Sequence, residues 1–165
     1  MKQNKLVTVS QQEGENISMV GDTYRIVVTG EQTNGEFSVV DMLIPPNGGP
    51  GPHAHPDFNE SFYIIEGEIE VKSEEGTYIA KKNSFVNIPK GGLIHMFKNK
   101  TDSVAHMLCT LVPAGEEDFF KEIGKPVAAG IFLPPPEMTP DYQEKIKKIA
   151  EKYNQKLYPP DYLNK

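Results

Sequence analysis

The chain has 165 residues, with 17 Lys plus Arg against 23 Asp plus Glu and a formal charge of −6. That length fits one domain burying roughly 70% of its unfolded surface, and an acidic balance without a basic run excludes a default nucleic-acid binder. One Cys excludes an internal disulfide framework, and no apolar run approaches the roughly 18 residues of a membrane span.

The opening MKQNKLVTVSQQEGE is polar, with no apolar leader; it reads as mobile or as a loosely held edge, and with the lone Cys it sets the expectation of a cytoplasmic protein. Short strands are expected at residues 17–20 and 24–29, split by the turn pair Gly21-Asp22. A longer strand over residues 36–44 (EFSVVDMLI) places Phe37, Val39, Asp41 and Leu43 on one face and Ser38, Val40, Met42 and Ile44 on the other. The run PPNGGPGP at residues 45–52 is neither helix nor central strand. Residues 61–65 and 68–73 around Glu66-Gly67 read as a β-hairpin, and residues 77–80, 85–88, 94–99 and 104–112 as further strands. About ten short strands at regular spacing imply a sandwich or barrel. Beyond Pro113 the pattern changes. Residues 116–123 predict a short helix with the acidic Glu116-Glu117-Asp118 at its positive end. Residues 128–133 are loop or a short strand. Thr139 and Pro140 open a second helix running to about Asn154, with Tyr142, Ile146, Ile149, Ala150 and Tyr153 on one apolar stripe. The tail LYPPDYLNK reads as extended. The organisation expected is one domain over residues 1–165, a barrel core at about 17–113 and a helical extension at about 114–165.

Three His and one Glu carry the chemistry. His53 and His55 stand two apart on an expected strand, so both rings point the same way. Glu60 starts the next strand, and His95 lies on another strand behind PKGG. Three imidazoles and a carboxylate suit a borderline divalent metal. His106 shares a face with Val104 and Leu108 and is either near that metal or a core His; Cys109 faces the other way as a buried thiol. Asn99 reads as bonding a local turn. Phe58, Phe62, Tyr63, Phe97 and Met42 are candidate cavity walls or plain core.

The segment GPHAHPDFNESFYIIEG, residues 51–67, resembles the first motif of the cupin superfamily: His-x-His, four residues, Glu, six residues, Gly. The segment PKGGLIHMFKN, residues 89–99, resembles the second: Pro, a Gly turn, two residues between Gly92 and His95, and three between His95 and Asn99. Two positions depart. The family sets a Gly ahead of the first His and another ahead of the Pro, each with five residues between; this chain has Asn47 and Asn83, the next most tolerant residue of left-handed geometry. The resemblance implies an all-β fold, a cupin-type antiparallel β-barrel (double-stranded β-helix, or jelly roll) with a C-terminal helical tail. It also implies that His53, His55, Glu60 and His95 project inward around one divalent transition metal: iron, manganese, nickel, copper or zinc. A narrower likeness, in residues 111–124 and the KYNQKLYPP tail, is to small bacterial quercetinase-like cupins.

That resemblance implies a metal-dependent dioxygenase acting on a small phenolic or enolisable compound, with Glu60 as the general base. The alternatives are a non-enzymatic small-molecule binder or sensor, and a metal-dependent isomerase or epimerase. With Arg25 as the only Arg, a clamp for phosphate or sugar-acid ligands looks thin, which favours an uncharged ligand. The expected partners are a small molecule and a second copy of the chain, paired through sheet edges or by exchanged N-terminal strands, with neither nucleic acid nor membrane.

Overall fold

A computed structural model describes residues 5–164. The expectation for the first fifteen residues therefore lies partly outside the described residues; residues 5–14 are irregular. Twelve strands follow among the described residues: β1 (Glu15–Met19), β2 (Asp22–Val28), β3 (Ser38–Ile44), β4 (His53–Ala54), β5 (Asn59–Glu66), β6 (Glu68–Ser73), β7 (Gly76–Lys81), β8 (Phe85–Ile88), β9 (His95–Lys98), β10 (Ala105–Val112), β11 (Lys125–Pro126) and β12 (Lys156–Leu157). Helix α1 (Glu116–Ile123) stands between β10 and β11, and α2 (Pro140–Lys152) precedes β12.

The strands form two antiparallel sheets, β11-β1-β2-β3-β10-β5-β8 and β12-β4-β9-β6-β7, which is the jelly-roll arrangement expected. Alternation builds the core. Ser38, Val40, Met42 and Ile44 of β3 are buried while Val39, Asp41 and Leu43 are half-buried on the other face. On β10, Ala105, Met107, Cys109 and Leu111 point inward by the same rule. Ile69, Val71 and Ala80 answer from the opposite sheet. Phe62 meets Phe97 edge-on across the two sheets, ring centroids 5.2 Å apart, and each fully buried ring contributes about 1.5–3 kcal/mol.

The β5–β6 hairpin read from Glu66-Gly67 is absent. β5 pairs with β10 and β8 in one sheet; β6 pairs with β7 and β9 in the other. Gly67, at φ +79°, turns the chain from sheet to sheet, and a Cβ there would stand 3.1 Å from the Ala105 backbone. A hairpin turn and a jelly-roll corner use the same local residues, so the sequence signal does not separate them.

Past Pro113, α1 spans the residues expected of it, and Thr139 caps α2 by accepting a hydrogen bond from the Tyr142 amide at 3.2 Å. The α2 stripe packs inward through buried Ile149 and Ala150. Residues 128–133 are loop. The tail is extended only at β12, which pairs with β4, and turns from Pro160 onward. The short β11, which pairs with β1, gave no sequence signal; its two residues are defined only by their partner.

Candidate metal centre

The loop of residues 45–52 enters the site and is fixed from three sides. Asn99 spends its whole side chain on the backbone around it. Its Nδ2 donates to Ile44 O (2.8 Å) and Ser103 O (2.7 Å), and its Oδ1 accepts from Thr101 N (2.9 Å) and Oγ1 (2.8 Å). The Asn99 backbone also bonds Asn47 and Gly48. This is the local-turn role expected of Asn99. Asp22 accepts from the Gly49 amide at 3.1 Å. Gly49 has φ +111° and approaches β9 so closely that a Cβ would lie 2.2 Å from Phe97 O. Asn47 and Asn83 sit at φ 63° and 69°, so Asn does occupy the left-handed turns where the family sets Gly.

That loop delivers His53 opposite His95: the two are register partners on β4 and β9, with ring centroids 4.3 Å apart. The strand holding His53 is shorter than expected. β4 ends at Ala54, and His55 lies beyond it, held by stacking on Phe58 at 4.2 Å. Glu60 comes from β5. The structure brings all four predicted residues together: one ligand atom from each of His53, His55, Glu60 and His95 lies within 4.8 Å of the others. His95 is fully buried and His55 and Glu60 nearly so; His53 is half-buried.

The protonation pattern fits a cation. His53 Nδ1 lies 3.0 Å from Gly51 O and His95 Nδ1 lies 2.9 Å from Leu93 O. A carbonyl only accepts, so both Nδ1 atoms carry the proton and both Nε2 lone pairs face the centre. There Glu60 Oε2 lies 3.0 Å from His55 Nε2 and 3.2 Å from His95 Nε2. A lone pair facing a carboxylate is repulsive unless a proton or a metal cation lies between them. The donor set of three imidazoles and one carboxylate suits a divalent transition metal. Removal from water and the neighbouring His95 push His53 down to about 3, which keeps it a neutral imidazole over the physiological range. Burial alone would raise Glu60; protonated His55 and His95 rings would outweigh it and hold the carboxyl below its usual range, and a cation bound between them would act in the same direction.

The cluster borders a cavity of about 290 Å³ that His53 and Glu60 line. Most of its wall is apolar: Met42, Phe97, Phe119, Phe120, Ile123 and Ile146 among others. Helix α1, α2 and β12 cover this barrel mouth. No Lys or Arg is among the described residues lining it.

Several roles differ from the sequence reading. His106 is neither beside the centre nor in the core: it is half-exposed on the outer face of β10 and bonded to Asp41, which Arg25 approaches at 3.6 Å. Tyr63 is 45% exposed and does not line the cavity at the cluster. Cys109 is buried as expected, but its Sγ donates to Glu60 Oε1 at 3.7 Å, and burial and Glu60 raise the thiol well above its ordinary value. Asp22, Tyr24, Glu116 and Gln155 line the cavity and were not read as site residues. Glu116 had a signal: it stands three, four and seven positions before Phe119, Phe120 and Ile123, on the apolar stripe of α1. Asp22 and Gln155 had none, since each is brought to the cavity by strand pairing far from its own segment.

Comparison with known proteins agrees with this geometry. Residues 40–111 match the cupin domain model. Quercetin 2,3-dioxygenase of Bacillus subtilis is 27% identical over 120 residues, 73% of this chain but 35% of that protein, so the chain spans about a third of that relative. A cupin-superfamily sugar phosphate isomerase from Silicibacter pomeroyi superposes with TM-score 0.57 at 18% identity, covering 64% of this chain and 75% of that one. KdgF from Halomonas sp. gives TM-score 0.59 at 13% identity, covering 69% and 99%. At these identities the two structures speak for the fold alone. The motifs, the two-sheet barrel and the His and Glu cluster agree with the match to a cupin domain over residues 40–111.

Proposed function

We propose that the protein is a metal-dependent dioxygenase acting on a small, uncharged phenolic or enolisable compound. The observation that carries this reading is the cluster of His53, His55, Glu60 and His95 at the base of an apolar cavity without a basic residue in its wall. The resemblance to the Bacillus subtilis quercetin 2,3-dioxygenase points the same way. A metal held by those four residues would supply a Lewis acid for an enolate or phenolate oxygen. The rest falls to the chain. Glu60 is ionised and can accept the ligand's hydroxyl proton on Oε2. Rotation of Glu60 away from the cluster leaves burial as the main influence, which favours the protonated acid. Apolar rings keep bulk water out. The cavity volume corresponds to about ten water-sized groups, which favours a ligand of one or two rings. A larger flavonol requires the cover of α1, α2 and β12 to shift.

The test is oxygen uptake. Purified protein, with its metal identified by elemental analysis, is supplied with a flavonol and with a panel of small diketones and enols. Uptake with one-to-one consumption of substrate is expected. No uptake with any reconstituted metal would favour the second reading, a non-enzymatic ligand binder or sensor, which the same cavity supports. An isomerase or epimerase is less favoured, because the lining has no cation to hold a phosphate or sugar acid. The reading includes a cytoplasmic homodimer; the exposed cross-strand pair Tyr63 and Phe85 supports an outer contact face, and light scattering tests it.

A further inference from the structure

We propose that Glu116 and Gln155 form a second polar subsite, which reads an uncharged hydroxyl on the part of the ligand remote from the His and Glu cluster. This rests on the cavity being the ligand site. Glu116 opens α1 and Gln155 follows α2, yet both line the cavity that holds His53 and Glu60. They are 5% and 4% exposed, and Gln155 Nε2 donates to Glu116 Oε1.

The neighbouring Glu117 shows what a structural carboxylate looks like here. It accepts the Gly30 amide on Oε1 and the Gly115 amide on Oε2, each at 2.7 Å, and so pins the start of α1. Glu116 has no such duty. Beyond Gln155, no described residue bonds its carboxyl, and Gln155 Oε1 likewise has no partner among the described residues. Closing the barrel mouth needs only an apolar side chain at position 116, as Phe119, Phe120 and Ile123 on the same stripe show. A buried polar pair with unspent capacity facing a cavity is costly unless something in the cavity uses it.

The chemistry of the pair selects the partner. Burial, and next the charge of Glu60, raise the Glu116 carboxyl well above the usual range, which favours the neutral acid. A protonated carboxyl donates and the Gln155 carbonyl accepts, matching a hydroxyl, which does both. An anionic group would instead face the Glu60 carboxylate with no Lys or Arg among the described lining residues.

The test uses Co²⁺-loaded protein and two pairs of neutral chelators that differ by one remote hydroxyl: allomaltol with kojic acid, and 3-hydroxychromone with 3,7-dihydroxychromone. Affinities are read by calorimetry. Wild type is expected to prefer the hydroxylated member of at least one pair by roughly fivefold to tenfold. Glu116→Leu should abolish that preference while leaving the hydroxyl-free probe within about twofold, and Glu116→Gln should keep part of it. If Glu116→Leu does not fold, Gln155→Leu carries the same comparison. No preference in either pair, or a preference that survives the Leu variant while its melting point falls, would overturn the subsite and leave the pair a latch between α1 and the tail. Failure of all four probes to bind would overturn the ligand-site reading itself, a different result from binding without preference.

Discussion

Asp22 allows a quantitative test of how the barrel mouth is held. Its side chain is 3% exposed at the start of β2, where Oδ1 accepts the Gly49 amide at 3.1 Å and Oδ2 lies 3.4 Å from the Tyr24 hydroxyl. Burial outweighs both contacts and pushes the carboxyl from 3.8 up to about 7. Between those values the folded chain keeps a proton that the unfolded chain has released. The folded state therefore binds more protons, and stability falls as pH rises through this window. At about 1.36 kcal/mol per pKa unit, the loss on going from below pH 4 to about pH 8 is of order 4 kcal/mol. Asp22→Asn keeps an acceptor for Gly49 and cannot ionise. It should exceed wild type by about 2–4 kcal/mol near pH 8, and the gap should close toward pH 4. Urea denaturation followed by circular dichroism over that range measures both curves. Parallel curves, or an Asn variant weaker than wild type at high pH, would refute the argument that an ionisable buried carboxyl pins this loop.

The paired variant His53→Ala with His95→Ala should lose stoichiometric metal while keeping the barrel's circular dichroism; elemental analysis decides, and retained metal would remove the centre. Gly67→Ala should cost about 1–2 kcal/mol in urea midpoint, because the corner has φ +79° and Ala105 stands 3.1 Å from the added carbon. Asn47→Gly should be neutral or slightly stabilising at φ 63°, whereas Asn47→Val should destabilise by about 1–2 kcal/mol.

The four-residue cluster was legible because it is written as spacing. His-x-His followed by Glu60, and His95 behind a Gly turn, are short-range patterns; they set His53, Glu60 and His95 on strands and His55 just past the end of β4. The inward face of β3 was legible for the same reason: alternation from Ser38 to Ile44 is a property of consecutive residues. Glu66-Gly67 was legible only as a turn. Whether β6 folds back on β5 or crosses to the other sheet depends on which strands compete for each edge, and β10 takes that edge of β5. His106 shows the limit on a single side chain. Alternation grouped it correctly with Val104 and Leu108, but could not say which group faces the core.

The sequence by itself determined the barrel class, the helices and the four residues that meet at the centre, since periodicity, capping and motif spacing are local and survive without a partner. Tertiary structure alone decided what surrounds them. It placed Asp22 under the loop of residues 45–52, Cys109 against Glu60, and Glu116 with Gln155 in the cavity wall. Those contacts join residues 27, 49 and 39 positions apart. Only the closed sheets bring them within hydrogen-bonding range and take them out of water, and burial then sets their charge.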